Sequence, residues 1–214
     1  MFLRRSLLTM MVLAVTLVLS GCGPGEEADP TPEAEITAEE ILAAASARLS
    51  ETQSLRFSLD IEGETYIDNA GTIRLVAARG DLARPDKVAV DFQVQLFGTG
   101  TVTIKMITIG SESWTTDLLT GEWSSAPPEF GYNPSVLYDN QEGLGPVMGR
   151  LQDPVLHGVE DLDGMEVYRV SGTASQETMG PITSNTMTGE PVGLELWIDA
   201  ANWNLHRVVV TEPE

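Results

Sequence analysis

The residues able to do chemistry in this chain are few and scattered. Its one cysteine, Cys22, has no disulfide partner in the chain and cannot hold a metal alone. The two histidines, His157 and His206, stand apart, neither with a second His or a Cys at ligand spacing. Glu160, Asp161 and Asp163 cluster, yet a calcium loop needs further oxygen ligands at fixed offsets and a distal Glu. Asp163-Gly164 is more simply the centre of a hairpin turn. There is no G-x-S-x-G elbow, no H-E-x-x-H and no phosphate-binding loop. The sequence gives no support to an enzyme and implies no metal and no other cofactor. Trp114, Trp123, Trp197 and Trp203 could stack sugars or bases, but read better as core or rim residues with large buried area.

Cys22 takes its meaning from its neighbours. Arg4 and Arg5 precede an apolar run from Leu7 to Leu19, interrupted only by Thr9 and Thr16. A basic start, a short apolar stretch and small residues afterwards make a secretory signal over residues 1–21. The run is shorter than the ~20 residues that span a bilayer. It ends in Leu19-Ser20-Gly21-Cys22, which resembles the bacterial lipobox, where the Cys thiol takes a diacylglyceryl group and becomes the first mature residue. Cys22 is therefore expected to be a membrane anchor, with the domain outside the cytoplasm.

Removal of residues 1–21 would leave 193 of 214 residues and take the net charge from −20 to −22, because Arg4 and Arg5 leave and no acid does. With no further cysteine, stability must come from a core, which a chain of this size can build. Such acidity excludes nucleic acid as a partner and disfavours an anionic leaflet, since both rely on clustered Lys and Arg. Residues 22–36 hold Pro24, Pro30, Pro32 and five acidic residues. Too little there is apolar to bury, so the segment is expected to be a disordered spacer. The proline-rich stretch 23–36 reaches at most about 43 Å.

The folded domain is expected over 37–214. Thr37-Ala38-Glu39-Glu40 has capping-box spacing, so a helix should start near residue 38 and end near Thr52. The period then becomes two. Leu55, Phe57, Leu59 and Ile61 alternate with polar residues, as do Val88, Val90, Phe92, Val94 and Leu96. Val102, Ile104 and Met106 continue one face, but Ile107 and Ile109 sit on the opposite parity, which predicts a bulge near 106. Turns are expected at 119–123, 161–164 and 200–202. Residues 124–141 read as an excursion across the sheet, and the Thr-, Ser- and Met-rich stretch before Gly189 as loop. Leu144, Val147, Met148 and Leu151 fall at helical spacing, with Pro146 in the first turn and Asp153-Pro154 as the stop. The sum is an α+β domain: one long, strongly curved antiparallel sheet packed on a few helices.

The lipobox, "SLRFSLDIEG" after the first helix, "SWTTDLLTGEWSSAPPE" and the closing "LELWIDAANWNLHRVVVTEP" together resemble the LppX/LprG lipoprotein family, which is itself similar to the LolA/LolB carriers. The resemblance implies a half-barrel sheet curled around helices, with an apolar cavity for acyl chains and a role in moving lipid or lipoglycan through the envelope. Leu55, Phe57, Leu59, Val90, Phe92, Val94, Ile104 and Met106 from the strands, with Leu144, Met148 and Leu151 from the inserted helix, are the expected cavity lining. The helix would act as a lid hinged at Gly143 and Gly145. The expected partners are an acyl-chain lipid, the membrane through lipidated Cys22 and an envelope protein, with the domain a monomer. The other reading is a non-carrier lipoprotein whose sheet binds a protein, as a scaffold or envelope sensor. The anchor is directly testable: Cys22→Ser should remove the acyl mass increment from the intact protein and release it from the membrane fraction, and an acylated variant would disprove the assignment.

Overall fold

In a computed structural model of the chain, residues 35–66, 71–96, 99–126, 134–183, 187 and 189–213 are described. The signal, Cys22 and nearly all of the spacer lie outside them, as do Pro127, Pro128, Phe130 and Tyr132. Helix α1, Ala38–Glu51, begins where the capping box places it: Thr37 Oγ1 accepts from Glu40 N at 3.2 Å, and Glu40 Oε2 accepts from Thr37 N at 2.9 Å. Ile41, Leu42 and Ala45, one stripe of its surface, are buried.

Six strands follow as an antiparallel meander: β1 (Ser54–Tyr66), β2 (Ile73–Ala83), β3 (Lys87–Leu96), β4 (Thr99–Ile109), β5 (Glu112–Thr116) and β6 (Trp123–Ser125). A 3-10 turn, Pro134–Tyr138, and a short helix α2, Leu144–Gly149, lead to a second sheet. That sheet has the order β10-β9-β8-β7, from β7 (Gln152–Leu162), β8 (Met165–Ala174), β9 (Val192–Asp199) and β10 (Leu205–Thr211). Helix α3, Gln176–Thr183, connects β8 to β9. Residues 36–214 form one compact unit.

The differences from expectation have local causes. The hydrogen-bonded strands form two sheets, not one, because the chain turns through the 3-10 turn and α2 between β6 and β7. No bulge occurs at 106: β3 and β4 stay in register from Lys87↔Ile109 to Gln95↔Thr101. Thr108 therefore points inward, 2% exposed, and its hydroxyl is satisfied by Ser113 Oγ at 2.8 Å. Ile107 and Ile109 are left on the outer face. Helix α2 stops at Gly149, and Asp153 (φ +47°) with Pro154 makes an irregularity inside β7. Ser124 and Ser125 belong to edge strand β6. Helix α3 replaces a predicted loop. Its Gly180 and Pro181 hide it from periodicity, but Ser175 accepts from Thr178 N at 3.3 Å, and Met179 and Ile182 turn one buried face inward.

All three helices pack on the four-stranded sheet, where Ile41, Leu42, Val147, Met148, Val170, Met179, Leu196 and Ile198 form the largest apolar cluster. The polar residues singled out in the sequence are spent on structure. Asp161 Oδ1 accepts from Gly164 N at 3.1 Å across a turn whose central residues, Asp163 and Gly164, have φ of 54° and 85°, the geometry of a tight hairpin. His157 Nε2 pairs with Ser171 Oγ at 2.7 Å. Trp197 is buried, donates its indole N–H to Glu160, and lies between the guanidiniums of Arg169 and Arg207, 5.6 and 4.9 Å from its ring centre. Trp203 stacks on Tyr168 with centroids 5.9 Å apart.

Asp199 closes the β9–β10 turn. Its Oδ1 accepts from Ala201 N at 2.7 Å and Asn202 N at 3.1 Å, and Oδ2 lies 3.4 Å from His206 Nε2. These bonds to the ionised form, the one from Ala201 first, hold the carboxyl below its ordinary range. A lowered folded pKa stabilises the fold fully above the ordinary aspartate value of about 3.9, and that contribution fades as pH falls through the lowered value. Asp199→Ala should lower Tm at neutral pH, and the difference from wild type should shrink on acidification below about pH 4. A constant difference in melts from pH 7 to pH 2 would contradict this.

Candidate functional site

The inner face of the six-stranded sheet is an apolar surface built row by row from strand register. One row runs Leu55–Leu82–Val88–Thr108, the next Phe57–Gly80–Val90–Met106–Thr115 and a third Leu59–Ala78–Phe92–Ile104. Leu75, Val94 and Val102 extend it beyond an irregularity between Leu75 and Ala77. No charged residue stands in these rows. Alternation makes this possible, since the polar partners Arg56, Asp81, Asp91 and Lys105 all fall on the other side.

The eleven residues expected to line one cavity divide into two groups. Val90, Val94, Ile104 and Met106 are buried on the sheet, Leu55, Phe57 and Phe92 are half-buried beside them, and Leu59 is 46% exposed. Leu144, Met148 and Leu151 belong to the other layer, packed with α1, α3 and the four-stranded sheet. Helix α2 is pinned there: Ser46 Oγ donates to Gly145 O at 2.8 Å, and a Cβ at Gly145 would lie 3.3 Å from that Oγ. Leu151 lies over Gly172, where a Cβ would come within 2.7 Å of it. The expected lid helix is thus part of the helical core, not the cover of the strand residues.

The cover is the 3-10 turn. Tyr138, 5% exposed, and Leu137 pack on Leu55, Phe57, Ala78, Leu82, Val88 and Val90, while Leu118, Ile61 and Ile73 pack around Leu75, Val94 and Ile104. The Tyr138 hydroxyl donates to Leu82 O at 3.2 Å. Burial raises its pKa, outweighing the Arg84 charge, so it remains a donor. Arg84 fixes the backbone of the turn. Its guanidinium lies 4.6 Å from the Tyr138 ring centre and donates to Tyr138 O at 3.0 Å, Thr52 O at 2.8 Å and Leu49 O at 3.4 Å. It thereby joins the turn to the C-terminal end of α1, where a cation also suits the helix dipole. Sequence reading passed over Tyr138 and Leu137. The available signal was three consecutive apolar residues, Val136-Leu137-Tyr138, between Pro134 and Asp139.

Two partly polar cavities among the described residues lie on opposite sides of the large sheet, and only the first adjoins this cover. One, of about 350 Å³, lies between α1 and the turn and is lined by Ser46, Ser50, Arg84, Tyr138 and Asn140 among others. The other, about 530 Å³, is an open depression around Arg56, Gly80 and Asp91. Among the described residues no three His, Cys, Asp or Glu side chains gather as a metal site, and no helix is long and apolar enough to cross a membrane. What the inner face offers is a covered, uncharged apolar surface.

The sequence profile of LppX_LprAFG lipoproteins matches residues 37–214. The chain belongs to that family. The LppX_LprAFG fold is borne out as well: the crystal structure of LprF from Mycobacterium bovis superposes with a TM-score of 0.65 at 23% identity, over 83% of this chain and 87% of that one. The lipoarabinomannan carrier protein LprG of Mycobacteroides abscessus is 25% identical over 198 residues, 92% of this chain and 81% of LprG. LprF of Mycobacterium tuberculosis is 34% identical over 80 residues, so the match spans 37% of this chain and 31% of that protein's length. As in other family members, open, curved antiparallel sheets with a few helices make the domain.

Gly80 is the tightest point of the family face in this chain. A Cβ there would lie 2.5 Å from Ala89 O and 2.9 Å from the Phe57 ring. Gly80→Val should therefore displace Phe57 and part β2 from β3, at a cost above the 1–3 kcal/mol usual for overpacking. The check is a denaturant midpoint, with Gly158→Ala at an unobstructed but positive-φ glycine as the comparison.

Proposed function

We propose that this protein is an extracytoplasmic lipoprotein, anchored through Cys22, whose domain over 37–214 takes an acyl chain of a lipid or lipoglycan onto the inner face of the six-stranded sheet and hands it on within the envelope. It acts as a carrier and not as an enzyme. The observation that carries this reading is an uncharged apolar face across four strands, covered by a five-residue 3-10 turn and not by a helix. Extracting one chain of fifteen methylenes from a bilayer costs roughly 12 kcal/mol. The receiving surface must offset most of that, and continuous apolar rows are the surface that can. The names of the relatives support it: LprG is called a lipoarabinomannan carrier, and LprF is named for diacylated glycolipid transport.

Tyr138 and Leu137 occupy that face, so an acyl chain has to displace them. The turn is suited to this because it is short: apolar packing of Tyr138 and Leu137, with Arg84 and one phenol hydrogen bond, holds it. A large aromatic-to-Ala change in a core costs about 3–5 kcal/mol of stability. Tyr138→Ala should therefore lower Tm and at the same time tighten binding of a fluorescent fatty-acid probe to delipidated, refolded protein. Leu59, Phe92 and Met106 should be felt by the probe, Leu144 and Met148 through stability alone. Absence of saturable binding by both wild type and Tyr138→Ala would end the carrier reading. The alternative, an anchored adaptor that binds a protein, draws on one observation: Ile109, Trp123 and Leu119 are exposed on the outside while the inner face is covered.

A further inference from the structure

The outer side of strands β4 to β6 holds an apolar surface that acyl-chain binding does not use. Ile107 stands opposite Trp114, Trp114 opposite Ser125, and Thr116 opposite Trp123, so Ile107, Ile109, Trp114 and Trp123 share one face. Ile109 is 50% exposed, Trp123 47%, and Leu119, at the tip of the β5–β6 turn, 93%. A large apolar side chain so exposed needs an occupant when it stands beside others.

The charge pattern narrows that occupant. The chain carries net −20 and has two lysines, Lys87 and Lys105. Both are on this face: Lys87 is opposite Ile109, and Lys105 lies two residues before Ile107 and opposite Asp91. The same outer rows also carry Arg56 and Arg79 as bases and Asp81, Asp91 and Glu112 as acids, so this face is close to neutral in a strongly acidic protein. Indole rings with flanking lysines are the composition of a lipid interface, where the ring sits among headgroups and the ammonium reaches the phosphates. The turn is also built to present its tip. Asp117 Oδ1 accepts from Leu119 N at 2.9 Å and Thr120 N at 2.8 Å, and Asp117 N donates to Glu122 O at 2.9 Å. Glu122 remains as an exposed acid beside it. In the same turn Leu118 points the other way, into the inner cluster with Leu75, Val94 and Ile104.

The geometry points to a membrane-contact face formed by Leu119, Ile107, Ile109, Trp114 and Trp123, seated on a zwitterionic lipid surface beside the anchor. It rests on the anchored-lipoprotein reading, whose spacer of residues 23–36 reaches about 43 Å and so keeps the domain within range of the bilayer. It adds a route: with Leu119 in the leaflet, Leu118 and the apolar rows behind it lie next to hydrocarbon, so a chain can pass from lipid to sheet without crossing water.

The test uses the mature acylated protein in phosphatidylcholine vesicles whose acyl chains carry bromine, a contact quencher of indole. Tryptophan emission should be quenched relative to unbrominated vesicles. Replacing both indoles of the face, Trp114→Phe with Trp123→Phe, should lose most of that quenching. Leu119→Glu should lose it too, with an unchanged melting temperature because Leu119 is almost wholly exposed. Adding phosphatidylglycerol should weaken the quenching, given the charge of the rest of the chain. Unquenched wild type, or quenching that survives loss of both indoles or Leu119→Glu, overturns the proposal, as does a vesicle-bound protein whose patch is covered by a second copy or another protein. Acyl-probe binding by the same Leu119→Glu protein in solution separates the two ideas: it should persist, and its loss in wild type would sink the carrier while leaving the contact face standing on its quenching.

Discussion

Arg84 is the constraint on which the rest depends. One guanidinium reaches the carbonyls of Leu49 and Thr52 at the end of α1 and that of Tyr138 in the 3-10 turn, and it lies over the Tyr138 ring. Its own backbone follows directly on strand β2. A helix end, a sheet and a covering turn are thus tied at one point. A lysine could not replace it, because three acceptors in different directions need the planar fork of donors. Tyr138 completes the tie through Leu82 O, and its apolar ring spends its area on the inner face of the sheet.

This tie separates two kinds of interior. The helices and the four-stranded sheet enclose a core of interlocked aliphatic side chains, with Gly145 and Gly172 allowing close approach. Such packing resists rearrangement. The six-stranded sheet has instead a broad apolar face whose described cover comes from loop and turn residues. Local opening is cheapest where few elements must move.

Polar chemistry is turned inward to the fold itself. Asp161, Asp199 and Asp117 bond the backbone of their own turns, and Glu160 takes the Trp197 N–H. Among the described residues no buried side-chain donor or acceptor is left unsatisfied. The two sides of the large sheet therefore differ in how their apolar surface is covered: an inner side under Tyr138 and Leu137, and an outer edge where Trp123 and Leu119 meet solvent beside the chain's lysines.

Much of this was legible in the residues. The capping box at Thr37 and Glu40, the two-residue period of β1 and β3 and the Asp163-Gly164 hairpin act between near neighbours, so sequence alone determined them. It also determined which strand side chains share an apolar face, because alternation leaves no choice once a strand exists. The lone Cys22 behind an apolar run carried the anchor expectation in the same local way. Other features were decided only in three dimensions. Parity at Ile107 suggested a bulge, yet cross-strand hydrogen bonding held register and buried Thr108 instead. Periodicity gave α2 an apolar stripe but could not say which sheet it faces; Ser46 and Gly145 decided that through a contact 99 residues apart. Tyr138 was missed because its partners, Leu82 and Arg84, are more than fifty residues away. Sequence determined the elements and their faces, since those follow from short-range geometry; only the tertiary structure decided which faces meet, because that choice rests on long-range packing and hydrogen bonds between distant parts of the chain.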